Sequence, residues 1–406
     1  MKVLGRIRHY PKIGLVVLAY IAFVALGMPD GLLGIAWPSI RAGFSIPLDA
    51  VGLLISTGTA GYLISSFSSG PLVARMGIGR ILAVSCAMTG TGLIGYTLVP
   101  EWWMMVLLGV VAGLGAGAID AGLNTYVAAH FGEGLMQWLH ASYGIGVTLG
   151  PIIMTTALAA GRSWRVGYAI VSIFQILLAL IFGFTLARWK QQAHPSQDGS
   201  RKLTDYKTPL RETLRQPRVW LSQSLFLIYT GVEISIGTWA YTLLTESRGI
   251  APEIAGLWAG SYYATFTIGR ILAGIYTKKV GGHALVLGSL AGALLGITLL
   301  WLNPSATISL IGVALTGFAV APIFPAMVSG TSGRVGARFA ANTIGMQMAA
   351  AGLGGSLIPG LVGVLAKRIS LEIIPVCLFI MVIALMGLFA LSILKQPSTL
   401  EKDQAR

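Results

Sequence analysis

Three of the 14 acidic residues, Asp30, Asp120 and Glu233, are embedded in apolar and small residues: GMPDGLLGIAWP, AGAIDAGLNTYVAA and YTGVEISIGTW. A carboxylate holds a proton or a cation and accepts hydrogen bonds from hydroxyl groups. Moving it between a dry site and a wet or cation-paired one changes which of these it does. Asn124 falls four residues after Asp120, on the same helix face. Gln137 and His140, in MQWLHASYGIG, are one turn apart near a helix start, where a histidine reads as a hydrogen-bonding or interfacial group before a proton carrier. Asn342 and Gln347 add neutral hydrogen-bonding groups farther on. Structural roles compete: Asp30 as acceptor for backbone groups freed at Pro29, Asp120 with Asn124 as an interhelical clamp. Glu233 has no basic residue one turn away, and Arg270 is its most plausible distant partner.

The elements that position these acids make them costly. The chain is 55% hydrophobic and 10% charged, with repeated uncharged runs of roughly the 20 residues that span a bilayer as helix. A charge at a bilayer centre costs about 2.5–3.5 kcal/mol on insertion scales, so each acid must face a wet cavity, be paired or be protonated. The runs are continuous rather than alternating, which selects helices over a membrane barrel. Twelve spans are predicted, at 13–38, 50–73, 79–99, 102–128, 138–160, 165–188, 219–245, 252–276, 284–302, 306–329, 339–366 and 371–394. The first is too long, and too interrupted by Pro29 and Asp30, for a cleaved signal peptide.

The formal charge of +14 is a topology signal and not a nucleic-acid footprint. Most Lys and Arg, including Arg75, Arg80, Arg211, Lys278, Lys279, Arg334 and Arg338, fall in alternate loops on one side, against Arg41, Arg162, Arg165, Arg248, Lys367 and Arg368 on the other. The positive-inside rule then predicts a multi-pass protein of the inner (plasma) membrane with both termini cytoplasmic. A monomer in the lipid bilayer is expected. Cys86 and Cys377 fall inside spans and read as small apolar residues.

The halves repeat one another. AGYLISSFSSGPLVA (60–74) and AGSYYATFTIGRILA (259–273) share Ala, Gly, Phe, Gly and Ala at matching positions. YGIGVTLGP and AGLGGSLIP share G-x-G-x-x-x-x-P, and Asp30, Gly34 and Trp37 answer to Glu233, Gly237 and Trp239. Three matches in one order, about 200 residues apart, predict two six-helix bundles with a substrate site between them near the midplane. The organisation expected is a bundle at 1–188, a polar, basic cytoplasmic linker at 189–217 and a second bundle at 218–406. Pro151 and Pro359 are expected to break their helices.

The loop GPLVARMGIGR supplies Gly70, Leu72, Arg75, Gly77 and Arg80 of the pattern after helix 2 in the major facilitator superfamily, which the whole chain resembles. Ala74 stands where the superfamily usually has aspartate, removing the acid of its usual gating contact. The fold implied is all-α and polytopic, with twelve transmembrane helices in two pseudo-symmetric bundles. Asp30, the glycine-rich helix ending in Asp120 and Asn124, LHASYGIGVTLGP and YTGVEISIGTWAYTLLTE are similar to the fucose-proton symporter family and its sodium-dependent glucose transporter relatives. That resemblance implies proton-coupled uptake of a monosaccharide by alternating access, with Asp30 as proton carrier and Asp120 and Asn124 on sugar hydroxyls. Asp120 would also sense protonation, and Glu233 and Trp239 would contribute from the second bundle. Trp37 and Trp239 would offer flat faces to a sugar ring, with plain packing the alternative. Sodium coupling stays open, since a carboxylate holds either cation. GVTLGP also resembles the core of the superfamily's antiporter motif, which leaves proton-coupled export of hydrophobic compounds as the rival.

Enzymatic chemistry is not expected. Gly113, Gly115 and Ala118 mimic a dinucleotide fingerprint but lie inside a span, without the strand that motif needs. Gly109, Gly113 and Gly117 instead form a small-residue stripe for close helix packing. No metal-ligand cluster, P-loop or nucleophile motif occurs, so no cofactor or metal is expected.

Overall fold

The computed structural model describes residues 13–47, 50–190, 203 and 206–394, and among them the chain is helical with no strand. The first bundle contains α1 (Ile13–Phe44), α2 (Val51–Met76), α3 (Ile78–Leu98), α4 (Trp102–His130), α5 (Glu133–Ala159) and α6 (Trp164–Phe184). Short helices Leu186–Lys190 and Leu210–Leu214 follow; residues 191–202 of the predicted linker lie outside the described residues. The second bundle contains α7 (Pro217–Thr242), continued by a π turn Leu243–Ser247, α8 (Pro252–Val280), α9 (Gly282–Leu302), α10 (Ala306–Val320, resumed as Ile323–Ser329), α11 (Ala337–Arg368) and α12 (Ile373–Leu394).

Eleven of these helices are long and apolar enough to cross a membrane. The other, α8, has the length at 29 residues but bears Ser261, Tyr262, Thr265 and Arg270, whose polar groups find partners inside the protein. A lipid face is plain on α6. There Ile170, Ile173, Leu177, Ile181 and Phe184 form an exposed stripe, while Val171, Ser172, Gln175, Leu178 and Phe182 are buried. Ser172 and Gln175 donate inward to the carbonyls of Gly90 (2.7 Å) and Ala25 (2.8 Å), as polar groups in hydrocarbon must.

The repeat is structural. In the first bundle α1 packs on α5 and α2 on α4; in the second α7 packs on α11 and α8 on α10. A Cβ on Gly117 of α4 would collide with the Tyr62 carbonyl of α2, and a Cβ on Gly317 of α10 with the Tyr262 carbonyl of α8. Gly77 and Gly281 open α3 and α9 with φ of 79° and 80°, a region costly for any residue with a Cβ. Small residues at these equivalent places bring the backbones into the contact that substitutes for a hydrophobic driving force in lipid.

The proline expectation is corrected. α5 and α11 run on through Pro151 and Pro359, as α1 does through Pro29 and Pro38. The break falls in α10, at Ala321 and Pro322. Three successive carbonyls there each accept from a side chain of another helix, Val320 from Tyr229 Oη (2.9 Å), Ala321 from Arg270 Nε (3.3 Å) and Pro322 from Gln137 Nε2 (2.9 Å), the last also taking the Ala326 N–H of the resumed helix. Neighbours that supply such partners are what make irregular backbone tolerable at membrane depth.

Candidate functional site

The bundles meet through α2 against α11 and α5 against α8, and these contacts cluster on the side of the basic loops. Trp138 Nε1 donates to the Ile271 carbonyl (3.3 Å) and Thr277 Oγ1 to Glu133 Oε2 (3.1 Å). Gly70 lies against Asn342, and Gly345 against Ser66 and Ser69, leaving no room for a Cβ. That side is closed. Above the seal lies a cavity of about 650 Å³, lined from both bundles and reaching Leu54, Ile55 and Ser356 toward the opposite face.

Asp30, Asp120, His140, Glu233 and Arg270 all line this cavity. Asp30 is exposed to it, and Asp120 and Glu233 are half-buried. Tyr143 of α5 donates to Asp30 Oδ2 of α1 at 2.5 Å, and Tyr62 of α2 donates to Asp120 Oδ2 of α4. Asn124 Nδ2 donates to Asp120 Oδ1 (2.8 Å) and to the Asp120 carbonyl (3.0 Å). Both partners are acceptors, so the amide oxygen must face the other way, where His140 Nε2 lies 3.0 Å from it. This fixes the histidine's hydrogen on Nε2. The expected pairing of Glu233 with Arg270 is present at 3.8 Å, and Arg270 also lies over the Phe266 ring.

Other predicted positions are not gathered there. Gln137 caps the α10 break. Asn342 donates to Thr213 Oγ1 (2.8 Å) and the Thr208 carbonyl (3.0 Å), and Gln347 donates to Ser222 Oγ (2.7 Å), all on the sealed side. Trp37 is buried 5.6 Å from the Trp102 ring, and Trp239 Nε1 donates to the Pro359 carbonyl (3.0 Å); neither lines the cavity. Packing, the alternative reading, describes both tryptophans. Of the loop residues, Gly70 abuts Asn342, while Arg75, Gly77 and Arg80 are exposed.

A model of the Major Facilitator Superfamily matches residues 19–243 and 221–406. The chain belongs to that superfamily. Proteins of that superfamily are multi-pass membrane transporters rather than enzymes. Bypass of stop codon protein 6 of Saccharomyces cerevisiae is 24% identical over 70% of this chain. The match covers 62% of the yeast protein, so the chain spans less than two thirds of that relative. Glucose/mannose transporter GlcP of Bacillus subtilis is 19% identical over 70% of this chain and 71% of its own. Among solved structures, FucP in the outward conformation superposes with a TM-score of 0.74 at 13% identity, over 92% of this chain and 98% of that one. A variant described as the E. coli fucose:proton symporter gives 0.70 at 15% identity, over 93% and 98%.

Within this superfamily fold, four tyrosines that sequence reasoning passed over line the cavity: Tyr62, Tyr96, Tyr143 and Tyr168. The one available signal was their repeated placement inside apolar spans, where a buried hydroxyl needs a partner. Which partner is a matter of helix packing.

Proposed function

We propose that this transporter carries a monosaccharide of the glucose or fucose kind together with a proton, by alternating access between bundles at 1–188 and 218–406 joined by the linker at 189–217. The observation behind this is the placement of Asp30 and Asp120 in one cavity between the bundles, each hydrogen-bonded by a tyrosine. A cavity of about 650 Å³ is within the range of small-molecule sites, and tyrosine, threonine and carboxylate groups suit a neutral, hydroxyl-rich solute. The names of GlcP and the fucose:proton symporter agree with that class. With the basic loops cytoplasmic, the captured form is outward-open. Asp30 takes the proton, Asp120 with Asn124 and His140 binds sugar hydroxyls, and Glu233 with Arg270 forms the floor from the second bundle.

The test is uptake of labelled D-glucose, with L-fucose and D-galactose as competitors, into sodium-free proteoliposomes under an imposed inward proton gradient. Gradient-driven accumulation, lost in Asp30→Asn while counterflow exchange survives, is the expected result. Accumulation persisting in that variant would remove Asp30 from the coupling role. Failure to bind any of the three sugars, with hydrophobic dyes extruded instead, would transfer the protein to the export reading.

A further inference from the structure

Asp30 and Asp120 are held alike. Each accepts, at Oδ2, a phenolic hydroxyl from another helix, Tyr143 for Asp30 and Tyr62 for Asp120, and all four side chains line the same cavity. Asp120 Oδ1 is taken by Asn124 Nδ2, so an added proton belongs on the oxygen that faces the phenol. A phenol has one hydrogen to give and lone pairs to accept with, whereas an ionised carboxylate only accepts. While the acids are ionised, each tyrosine hydrogen is committed to its carboxylate and the cavity meets only the phenolic lone pairs.

We propose that Tyr62 and Tyr143 are substrate-contacting residues that turn protonation of Asp120 and Asp30 into a change in the hydrogen bonds the cavity offers its substrate. This rests on the reading of the chain as a proton-coupled sugar carrier. Hydronium in the cavity gives its proton to Oδ2, forming one carboxyl O–H bond and leaving water. The new O–H donates to the phenolic oxygen. The phenol's own hydrogen turns into the cavity and donates to a substrate hydroxyl oxygen. Two acceptor positions become two donor positions on loading and revert together on release, so sugar and proton favour the same state. The other titratable or charged groups facing the cavity are Tyr96 of α3, His140 of α5, Tyr168 of α6, Glu233 of α7 and Arg270 of α8. They set the background field, and the two phenols hold the switch.

Infrared difference spectra of the reconstituted full chain, taken between about pH 8 and about pH 3 to bracket the ordinary aspartate value of about 3.9, test this without any sugar. The expected wild-type spectrum gains a protonated-carboxyl band together with a change in the tyrosine C–OH band. In Tyr62→Phe and in Tyr143→Phe the carboxyl band is expected to persist at higher frequency, with part of the tyrosine change gone. Calorimetry with D-glucose should show wild-type affinity rising about tenfold on acidification, a step worth about 1.4 kcal/mol, and each phenylalanine variant losing a large part of that rise, read as the ratio of its own acid and alkaline affinities. A wild-type carboxyl band with no tyrosine change, or full pH dependence in both variants, would overturn the proposal. Coupled carboxyl and tyrosine bands in a protein that binds no D-glucose would support the switch and sink the sugar reading.

Discussion

Arg270 spans the cavity floor between the bundles: its guanidinium lies 3.8 Å from Glu233 Oε1 in its own bundle and donates to the His140 carbonyl of the other at 3.4 Å. It also satisfies the Ala321 carbonyl at the α10 break. One buried side chain thus joins the ion pair, the broken helix and the bundle interface.

Replacing Arg270 by Gln should therefore leave half-buried Glu233 without its cation. Losing one partner of a fully buried ion pair costs about 3–5 kcal/mol, and the 3.8 Å separation and the cavity-facing carboxylate place this pair below that range. Melting of the detergent-solubilised protein should fall clearly in Arg270→Gln and recover in Arg270→Gln/Glu233→Gln. Equal melting of the single and double variants would show that the pair does not couple.

Asn124 is fully buried and joins Asp120 to His140. Asn124→Ala leaves buried His140 without this partner and half-buried Asp120 with one fewer, at about 1–3 kcal/mol. D-Glucose affinity should fall by about tenfold or more, with His140 free to exchange tautomers. Nitrogen NMR of histidine-labelled protein should show one neutral tautomer for His140 in the wild type and a mixture in the variant.

Trp239 lies outside the cavity and contributes a hydrogen bond to the Pro359 carbonyl at 3.0 Å. Trp239→Phe should cost about 1 kcal/mol of stability and leave D-glucose affinity unchanged. A large loss of affinity with normal melting would return Trp239 to the site.

At the rim opposite the basic loops, Arg248 binds Glu372 through Nε (3.0 Å) and Nη2 (2.7 Å). These bonds hold the Glu372 carboxyl below its ordinary 4.5. A lowered folded-state value means stability that is present above the unfolded value and lost as pH falls through the folded one. Glu372→Gln should lower the melting temperature at neutral pH by the equivalent of about 1 kcal/mol or less, since the carboxylate is partly exposed. The gap from wild type should close on acidification below about pH 4.5.

Much of the architecture was legible because a bilayer imposes one-dimensional rules. Continuous apolar runs required helices, and paired glycines about 200 residues apart marked equivalent close contacts, Gly146 on the Val24 carbonyl and Gly354 on the Leu227 carbonyl. The acids were legible for the same reason, since only a cavity or a partner makes them tolerable. The prolines misled because breakage depends on the neighbours: α5 and α11 absorb theirs, while α10 opens where Tyr229, Arg270 and Gln137 donate to the carbonyls at the break.

By itself the sequence determined a twelve-helix membrane protein in two related halves, with three acids that must meet water, a cation or a proton. Only the tertiary structure decided that all three line one cavity with Tyr62 and Tyr143, that Arg270 reaches across to His140, and that Asn342, Gln347, Trp37 and Trp239 lie outside that cavity. Helix periodicity tells which residues share a face. Which face meets which neighbour is set by close packing between helices far apart in the chain, and side-chain partners in hydrocarbon follow from that packing alone.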